Sequence, residues 1–424
     1  MMNRSKKITW EINRKTALLL LLTVAIICIV AVLVSCGKSG EEPDTQSVAD
    51  IVSEQVEEVI PVDVSLSDTD IEIGFGLTKK LNAVGGENIS WHSSDNGIAS
   101  VTSDGTVSGV GIGECDLTAE NEFGRRAQCH VAVRKTVYIT IDDGPLNYSA
   151  IILKKLKNHD VKATFFVVNT YNIKLTKRMH DEGHLVALHT YSHSFGICYR
   201  SQYSYFADLE KLADIVEMYT DTRPNIIRFP GGTSNHIAKM LEMRRMVSGI
   251  DDLGYRAFDW TSSSHDSEGK ELTAQQSAAN VLANMSHESN IVLMHDKECT
   301  PGALDIIIPY LKSKGYIFET LDHYPEKSFL TKSWYEKSIG DEILPCELLT
   351  LDINSCEINV GESFVLNAEM SPDKSTDYVR FVSDDPTTAK ITLEGNVTGI
   401  RPGKTCVRAI ASSGQEAVCN VTVW

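Results

Sequence analysis

Positive charge is in short supply along this 424-residue chain. Its 40 Lys and Arg stand against 57 Asp and Glu, a formal net charge of -17. Phosphate recognition needs clustered Lys and Arg, so this balance argues against a nucleic-acid partner. It suits an exported protein that must stay soluble. Long apolar runs are just as scarce. Only Ala17–Val34 is long enough to span a bilayer, and it lies near the start of the chain. Hydrophobic residues at 42% and charged residues at 23% match ordinary globular domains. The length calls for more than one of them.

Arg4, Lys6, Lys7, Arg14 and Lys15 precede the apolar run, and Leu33-Val34-Ser35-Cys36-Gly37 closes it. A basic stretch followed by an apolar one is the layout of an export signal. The closing pentapeptide resembles a bacterial lipoprotein box, in which Cys36 would be lipidated and become the new N-terminus. The alternative is an uncleaved membrane anchor. Both place everything after Cys36 outside the cytoplasmic membrane. Gly37–Ile60 is acidic and aperiodic and reads as a tether.

An internal repeat follows. At a constant offset of 290, Ala99 matches Ala389, Gly105 matches Gly395, Gly109 matches Gly399, Gly113 matches Gly403 and Cys129 matches Cys419. Upstream, the Leu-Asn-Ala at Leu81 matches that at Leu366. Short alternating runs punctuated by Gly turns predict a small β-sandwich in each copy. Both copies resemble the group 2 bacterial immunoglobulin-like domains, over 61–134 and 348–424. Strand alternation predicts that Cys115 and Cys129 point into one core and can meet. Cys406 is one residue out of register and should face away from Cys419. Ten cysteines in an exported chain permit disulfides without requiring them.

Between the copies the rhythm changes. "TVYITID", "VKATFFVV", "GHLVALH", "NIIRFP", "YRAFDW", "NIVLMH" and "YIFETL" read as strands, separated by helical patterns such as "YSAIILKKLKNHD". Seven strands in β-α alternation predict a parallel sheet, closed or nearly closed into a barrel. In such barrels chemistry gathers at the C-terminal strand ends. Asp142 and Asp143 end the first strand, His189 and His193 follow the third, and Arg228-Phe-Pro-Gly-Gly ends the fourth. "DWTSSSHDS" follows the fifth, and His295 ends the sixth. Singly, each has an ordinary structural reading as a turn, a hydrogen-bonded His or a surface acid. Together they can complete a two-His, one-carboxylate metal site, with a second carboxylate free for proton transfer.

These motifs, in this order, resemble the polysaccharide deacetylases with a NodB homology domain, carbohydrate esterase family 4, over 135–325. The resemblance implies a distorted (β/α)7 barrel that removes acetyl groups from glycans. By position Asp142 would be the catalytic base, and Asp143, His189 and His193 the metal ligands. Arg228 would hold the base and Pro230 line the pocket. Leu293 would face the acetyl methyl, and His295 would be the general acid. Aligning Trp260 with the family's earlier Trp puts Asp266 at the acid that orients His295, with Asp259 as its rival. Ser267 then stands where the family often has a second Trp. Gly231 stands where many members have Tyr; its backbone N–H would still serve the oxyanion. The ion would be divalent, with zinc first and cobalt, manganese or nickel as alternatives. His184, His265 and His287 match no motif. A bridge between Cys198 and Cys299, both on loops at the barrel mouth, is a further expectation.

The expected organisation is a leader or anchor at 1–36, a tether at 37–60, an immunoglobulin-like domain at 61–134, the catalytic domain at 135–325, a linker at 326–347 and a second immunoglobulin-like domain at 348–424. The expected activity is N-deacetylation of N-acetylglucosamine units in cell-wall peptidoglycan, by a protein anchored at the bacterial membrane. An exopolysaccharide, chitin oligomers and acetyl xylan are the alternative substrates. A non-catalytic wall-binding or adhesive protein is the alternative class.

Overall fold

The computed structural model describes residues 62–235, 237–331 and 343–424. The expected leader, Cys36, the tether and much of the expected linker lie outside the described residues. Among the described residues no helix is long and apolar enough to cross a membrane.

Eight parallel strands build the central sheet. They are β1 (Thr136–Asp142), β2 (Thr164–Val167), β3 (Leu185–Leu188), β4 (Ile226–Ile227), β5 (Arg256–Ala257), β6 (Ser262–Ser263), β7 (Ser289–His295) and β8 (Ile317–Phe318). Their order is β5-β4-β3-β2-β1-β7-β6, with β8 also pairing to β1. The expectation of a seven-stranded barrel needs correcting on two counts. Ser262–Ser263 is an additional strand, and the sheet does not close by hydrogen bonds. Its edges β5 and β6 are consecutive in the chain, so the segment 258–261 passes directly from one edge to the other. β-α alternation fails there because no helix intervenes.

Both faces of this sheet are buried, which is why its strands read as nearly unbroken apolar runs. Tyr138, Phe166, Ala187, Ile226, Phe258 and Ile291 meet inside the curl, where Leu321 and Tyr324 pack against them. Val137, Ile139 and Ile141 face the helices, with Phe165, Val167, Leu188 and Val292. A period of two then fixes what each strand end offers the interior. Tyr138, Thr140 and Asp142 share one face of β1, and Ile291, Leu293 and His295 share one face of β7.

The flanking copies are all-β, with identical strand orders. The first has one sheet of Asp70–Gly74, Arg126–Arg134, Gly113–Asn121 and Ile89–Ser93, and a second of Thr78–Lys80, Thr106–Gly109 and Ala99–Val101. The second copy repeats this with Ser355–Ile358, Glu416–Val423, Gly403–Ala411 and Val379–Ser383, and with Ser363–Val365, Asn396–Gly399 and Ala389–Ile391. Gly105 (φ 84°) and Gly395 (φ 81°) occupy the same left-handed turn. A Cβ on either would collide with a carbonyl oxygen, Leu81 in one copy and Leu366 in the other.

The eight described cysteines are all free. Cys115 pairs across the ladder with Val131, and Cys129 with Leu117. They are both buried but two residues out of step, so the expected meeting does not occur. Cys406 lies opposite Asn420, as the alternation predicts. The expected Cys198–Cys299 bridge is also absent. The Cys198 thiol lies instead 3.6 Å from both Ser192 Oγ and Asp208 Oδ2.

Candidate metal and catalytic centre

Asp142 ends β1 pointing inward, and the next residue would normally point away. Asp143 returns to the same site because its backbone is left-handed, with φ 66°. Thr190 (φ 81°) and His193 (φ 48°) bend the loop after β3 in the same way, and His265 (φ 57°) precedes Asp266. Thus four of the six described non-glycine residues in this region of backbone space surround one place. Such strain persists only where surrounding structure holds it, and it clusters at functional sites.

One ligand atom from each of Asp143, His189 and His193 lies within 4.8 Å of the others. Asp143 Oδ1 is 3.1 Å from His193 Nε2 and 3.6 Å from His189 Nε2. His189 Nδ1 donates to the Arg228 carbonyl at 2.8 Å, which leaves the Nε2 lone pair facing the carboxylate. Burial, reinforced by His193 and Arg228 against the opposing pull of Asp143, takes the His189 pKa down to about 3, so the ring is neutral. Asp143 Oδ1 is itself buried and accepts no hydrogen bond. A buried, unpartnered carboxylate oxygen between two imidazole nitrogens fits a divalent cation better than it fits a structural ion pair.

On one side stands Asp142, 2% exposed, with Oδ2 3.7 Å from His189 Nε2. Arg228, the largest fully buried side chain, donates from Nη1 to Asp142 Oδ1 at 2.8 Å and to Thr140 Oγ1 at 2.6 Å. Its Nε donates to the Phe258 carbonyl and its Nη2 to that of Asp259. Burial pushes the Asp142 carboxyl above the usual carboxylate value, and the charges of Arg228 and His295 only partly offset this. On the neighbouring strand, in register with Asp142, His295 Nδ1 lies 2.6 Å from Asp266 Oδ1, and its backbone N–H donates to Asp266 Oδ2 at 3.0 Å. Burial alone would lower the His295 pKa. The hydrogen bond to Asp266 and the charges of Asp142, Asp266 and Asp143 outweigh burial and raise it. Asp266 shows the matching response: burial raises it, but its bonds to His295 dominate and its pKa falls.

The two candidates for the acid beside His295 thus separate. Asp259 faces away from the curl, where it accepts from the backbone and hydroxyl of both Thr233 and Thr331. Leu293 lies buried two residues before His295 on the same face. Pro230 is buried, Gly231 is exposed, and Gly231 and Gly232 both have φ 74°. Trp260 packs over Gly232, where a Cβ would lie 2.9 Å from the indole ring.

The motif reading does not reach two residues, Asp208 and Asp296. Asp296 directly follows His295 and points the opposite way. It accepts from the backbone N–H of Leu146 and Tyr148 and from the Ser149 hydroxyl, pinning the loop after Asp143. Asp208 accepts from the backbone N–H of Ser192 at 2.9 Å, pinning the loop between the two histidines. It sits on the apolar stripe of the helix Gln202–Thr220, between Tyr205 and Leu212, where a charge is the readable signal. His184 takes the structural role expected of a histidine outside the motifs, accepting from the Ala163 N–H under Phe165.

Residues 131–256 match the family model described as polysaccharide deacetylase, and residues 347–421 match that of the group 2 bacterial Ig-like domain. A peptidoglycan-N-acetylglucosamine deacetylase of Bacillus cereus is 33% identical over 232 residues, covering 53% of this chain and 80% of its own. A putative polysaccharide deacetylase of Bacillus subtilis is 32% identical over 196 residues, covering 44% and 67%. The solved catalytic domain of a peptidoglycan N-acetylglucosamine deacetylase from Eubacterium rectale is 36% identical and covers 46% of this chain and 92% of that one, with a TM-score of 0.45.

Proposed function

The chain belongs to the polysaccharide deacetylases, hydrolases of carbon–nitrogen bonds other than peptide bonds, and we propose that it is a metal-dependent N-deacetylase releasing acetate from N-acetylglucosamine units of peptidoglycan. The observation that carries this reading is the buried Asp143 oxygen facing His189 and His193, with Asp142 and His295 flanking it. The names of the Bacillus cereus and Listeria monocytogenes relatives support the glycan.

Asp143, His189 and His193 would hold the cation, for which zinc is the first choice. When bound, such an ion polarises a carbonyl and acidifies water. Asp142 would take the proton of the attacking water. Its buried carboxyl is poised above the ordinary value, which brings a base closer to neutral pH. Arg228 fixes its orientation. An amine leaves only when protonated, and His295, kept protonated by Asp266, would supply that proton. The backbone N–H of Gly231, an exposed residue, would stabilise the oxyanion. Leu293, Pro230 and Trp260 would frame the acetyl and sugar groups.

The first sandwich has the strand order of the second, and this supports reading 61–134 as another immunoglobulin-like domain, with the catalytic domain at 135–325 between them. An extracytoplasmic protein anchored through Cys36 completes the reading. The test is acetate release from purified wall material, chitin oligomers and acetyl xylan after metal reconstitution. Asp142→Ala should keep its metal and lose about 10²–10⁴-fold in rate; acetate release equal to that of the unmodified protein would overturn the assignment of the base.

A further inference from the structure

Next to the paired Asp266 and His295 lies a cavity of about 760 Å³ that the deacetylation chemistry does not use. Tyr148 forms one wall, the loop from Asp266 to Ala274 another, and Lys297–Cys299 the floor. It shares Asp266 with the catalytic centre, and Lys297 donates its backbone N–H to the His295 carbonyl at 2.8 Å. Ser267 is one of its small lining residues, with Gly269.

Its lining is charged in both senses. Lys270 and Lys297 are exposed, and among the described residues neither ammonium has a hydrogen-bonding or ionic partner. Other exposed lysines are engaged in some places, as Lys80 is with Asp104 and Lys177 with Asp181, and free among the described residues in others, as are Lys154 and Lys390; what distinguishes Lys270 and Lys297 is that both line one cavity. The helices Ala274–Ala283 and Cys299–Ser313 both begin at this cavity, so their positive ends add to the two ammoniums. Glu271 and Glu298 supply carboxylates, and the Tyr148 hydroxyl donates weakly to Glu298 at 3.4 Å. A neutral sugar would leave these groups unmatched. A ligand with a carboxylate and an amine would match them, while its amide backbone packed against Tyr148 and Leu272.

We propose that this cavity is a subsite for a short peptide substituent carried by the glycan, with Lys270 and Lys297 taking its carboxylate. This rests on the deacetylase reading and narrows the substrate class to peptide-bearing glycan strands. The test compares acetate release from a neutral N-acetylglucosamine oligosaccharide with release from a peptide-bearing glycan of matched length. The metal-loaded full chain is compared with a Lys270→Ala/Lys297→Ala double variant and with Ser267→Trp. For the wild type KM should be lower for the peptide-bearing substrate. The double variant should raise that KM about 5-fold, the combined effect of two exposed charge contacts, with kcat held. The neutral substrate should be indifferent to the double variant. Ser267→Trp, which fills the cavity, should abolish the preference. Equal KM for both substrates, unaltered in the double variant, would overturn the subsite while leaving the deacetylase reading intact. Acetate from neither substrate would overturn the deacetylase reading and the subsite with it.

Discussion

Two sandwiches with one strand order meet the central sheet in different ways. The first runs into it covalently. Its last strand ends at Arg134 and β1 begins at Thr136, with Lys135 alone between them. Gly74 allows close approach there, since a Cβ would press on Thr136 and lie 3.1 Å from Ile317 Cδ1. The second copy inserts a side chain. Tyr378 is fully buried in the core shared by the sheet and its helices, edge-on to Phe206 at 5.2 Å between ring centroids. Gly249, in the helix Met240–Asp252, forms its seat, since a Cβ there would lie 2.7 Å from the Tyr378 ring. Arg245 donates to the carbonyls of Ser375 and Asp373, and Gln202 accepts from the Val379 N–H. All these docking groups of the second copy lie in or beside its one insertion. The repeat offset is 285 at Leu81 and Leu366 but 290 from Ala99 onward, so the second copy is five residues longer in that loop. The repeated residues therefore build the sandwich, and the unrepeated ones decide what it leans on.

The comparison can be broken most decisively at Tyr378. Tyr378→Ala should cost about 3–5 kcal/mol in denaturant unfolding of the full chain, by loss of contacts and the cavity left behind. A cost below 1 kcal/mol would mean that the second copy is not anchored there. Next comes a change near neither sandwich. Asp266→Asn should move the high-pH limb of acetate release to lower pH, read from the pH profile of kcat. The sign follows from His295: its raised pKa keeps the proton above the ordinary histidine range, and without Asp266 burial dominates and releases it sooner. The stability contributed by His295 is present below its unfolded pKa and lost as pH rises through the raised one. That of Asp266 is present above its unfolded pKa and lost as pH falls through the lowered one. The limb should stay in place in Gly249→Ala, which touches only the docking seat. Gly249→Ala should itself destabilise by about 1–2 kcal/mol, the crowding partly offset by better helix propensity. Its effect should be non-additive with Tyr378→Ala, because both act on one contact. Gly74→Ala should cost about 1 kcal/mol; a loss as large as that of Tyr378→Ala would erase the asymmetry. The smallest effect belongs to Tyr378→Phe. The hydroxyl is buried without a partner, so its removal should change stability by less than about 0.5 kcal/mol or raise it.

Much of the centre was legible because strand parity is a local property. Asp142, His189, Arg228 and His295 each continue the inward-facing series of a strand whose apolar members are visible in the chain. Asp259 and Asp266 stayed undivided in the sequence; the folded contacts separate them, Asp266 against His295 and Asp259 against Thr233 and Thr331. Asp143 and His193 were legible only as motif members, because left-handed backbone brings them to the site. The role of Asp296 could not be read, since its partners Leu146 and Tyr148 lie some 150 residues away. Ser262–Ser263 carries no strand signal because it is polar and sits in a serine run, whereas the equally short Ile226–Ile227 and Ile317–Phe318 are apolar.

The amino-acid order alone determined the strand series, the repeat and which side chains face the interior of the curl, because alternation and turn chemistry depend on neighbouring residues. Tertiary structure alone decided that Asp143 faces the two histidines, that Asp266 rather than Asp259 holds His295, and that one sandwich is anchored by a tyrosine. Each of these depends on how distant segments pack, and packing density and burial are properties of the folded whole.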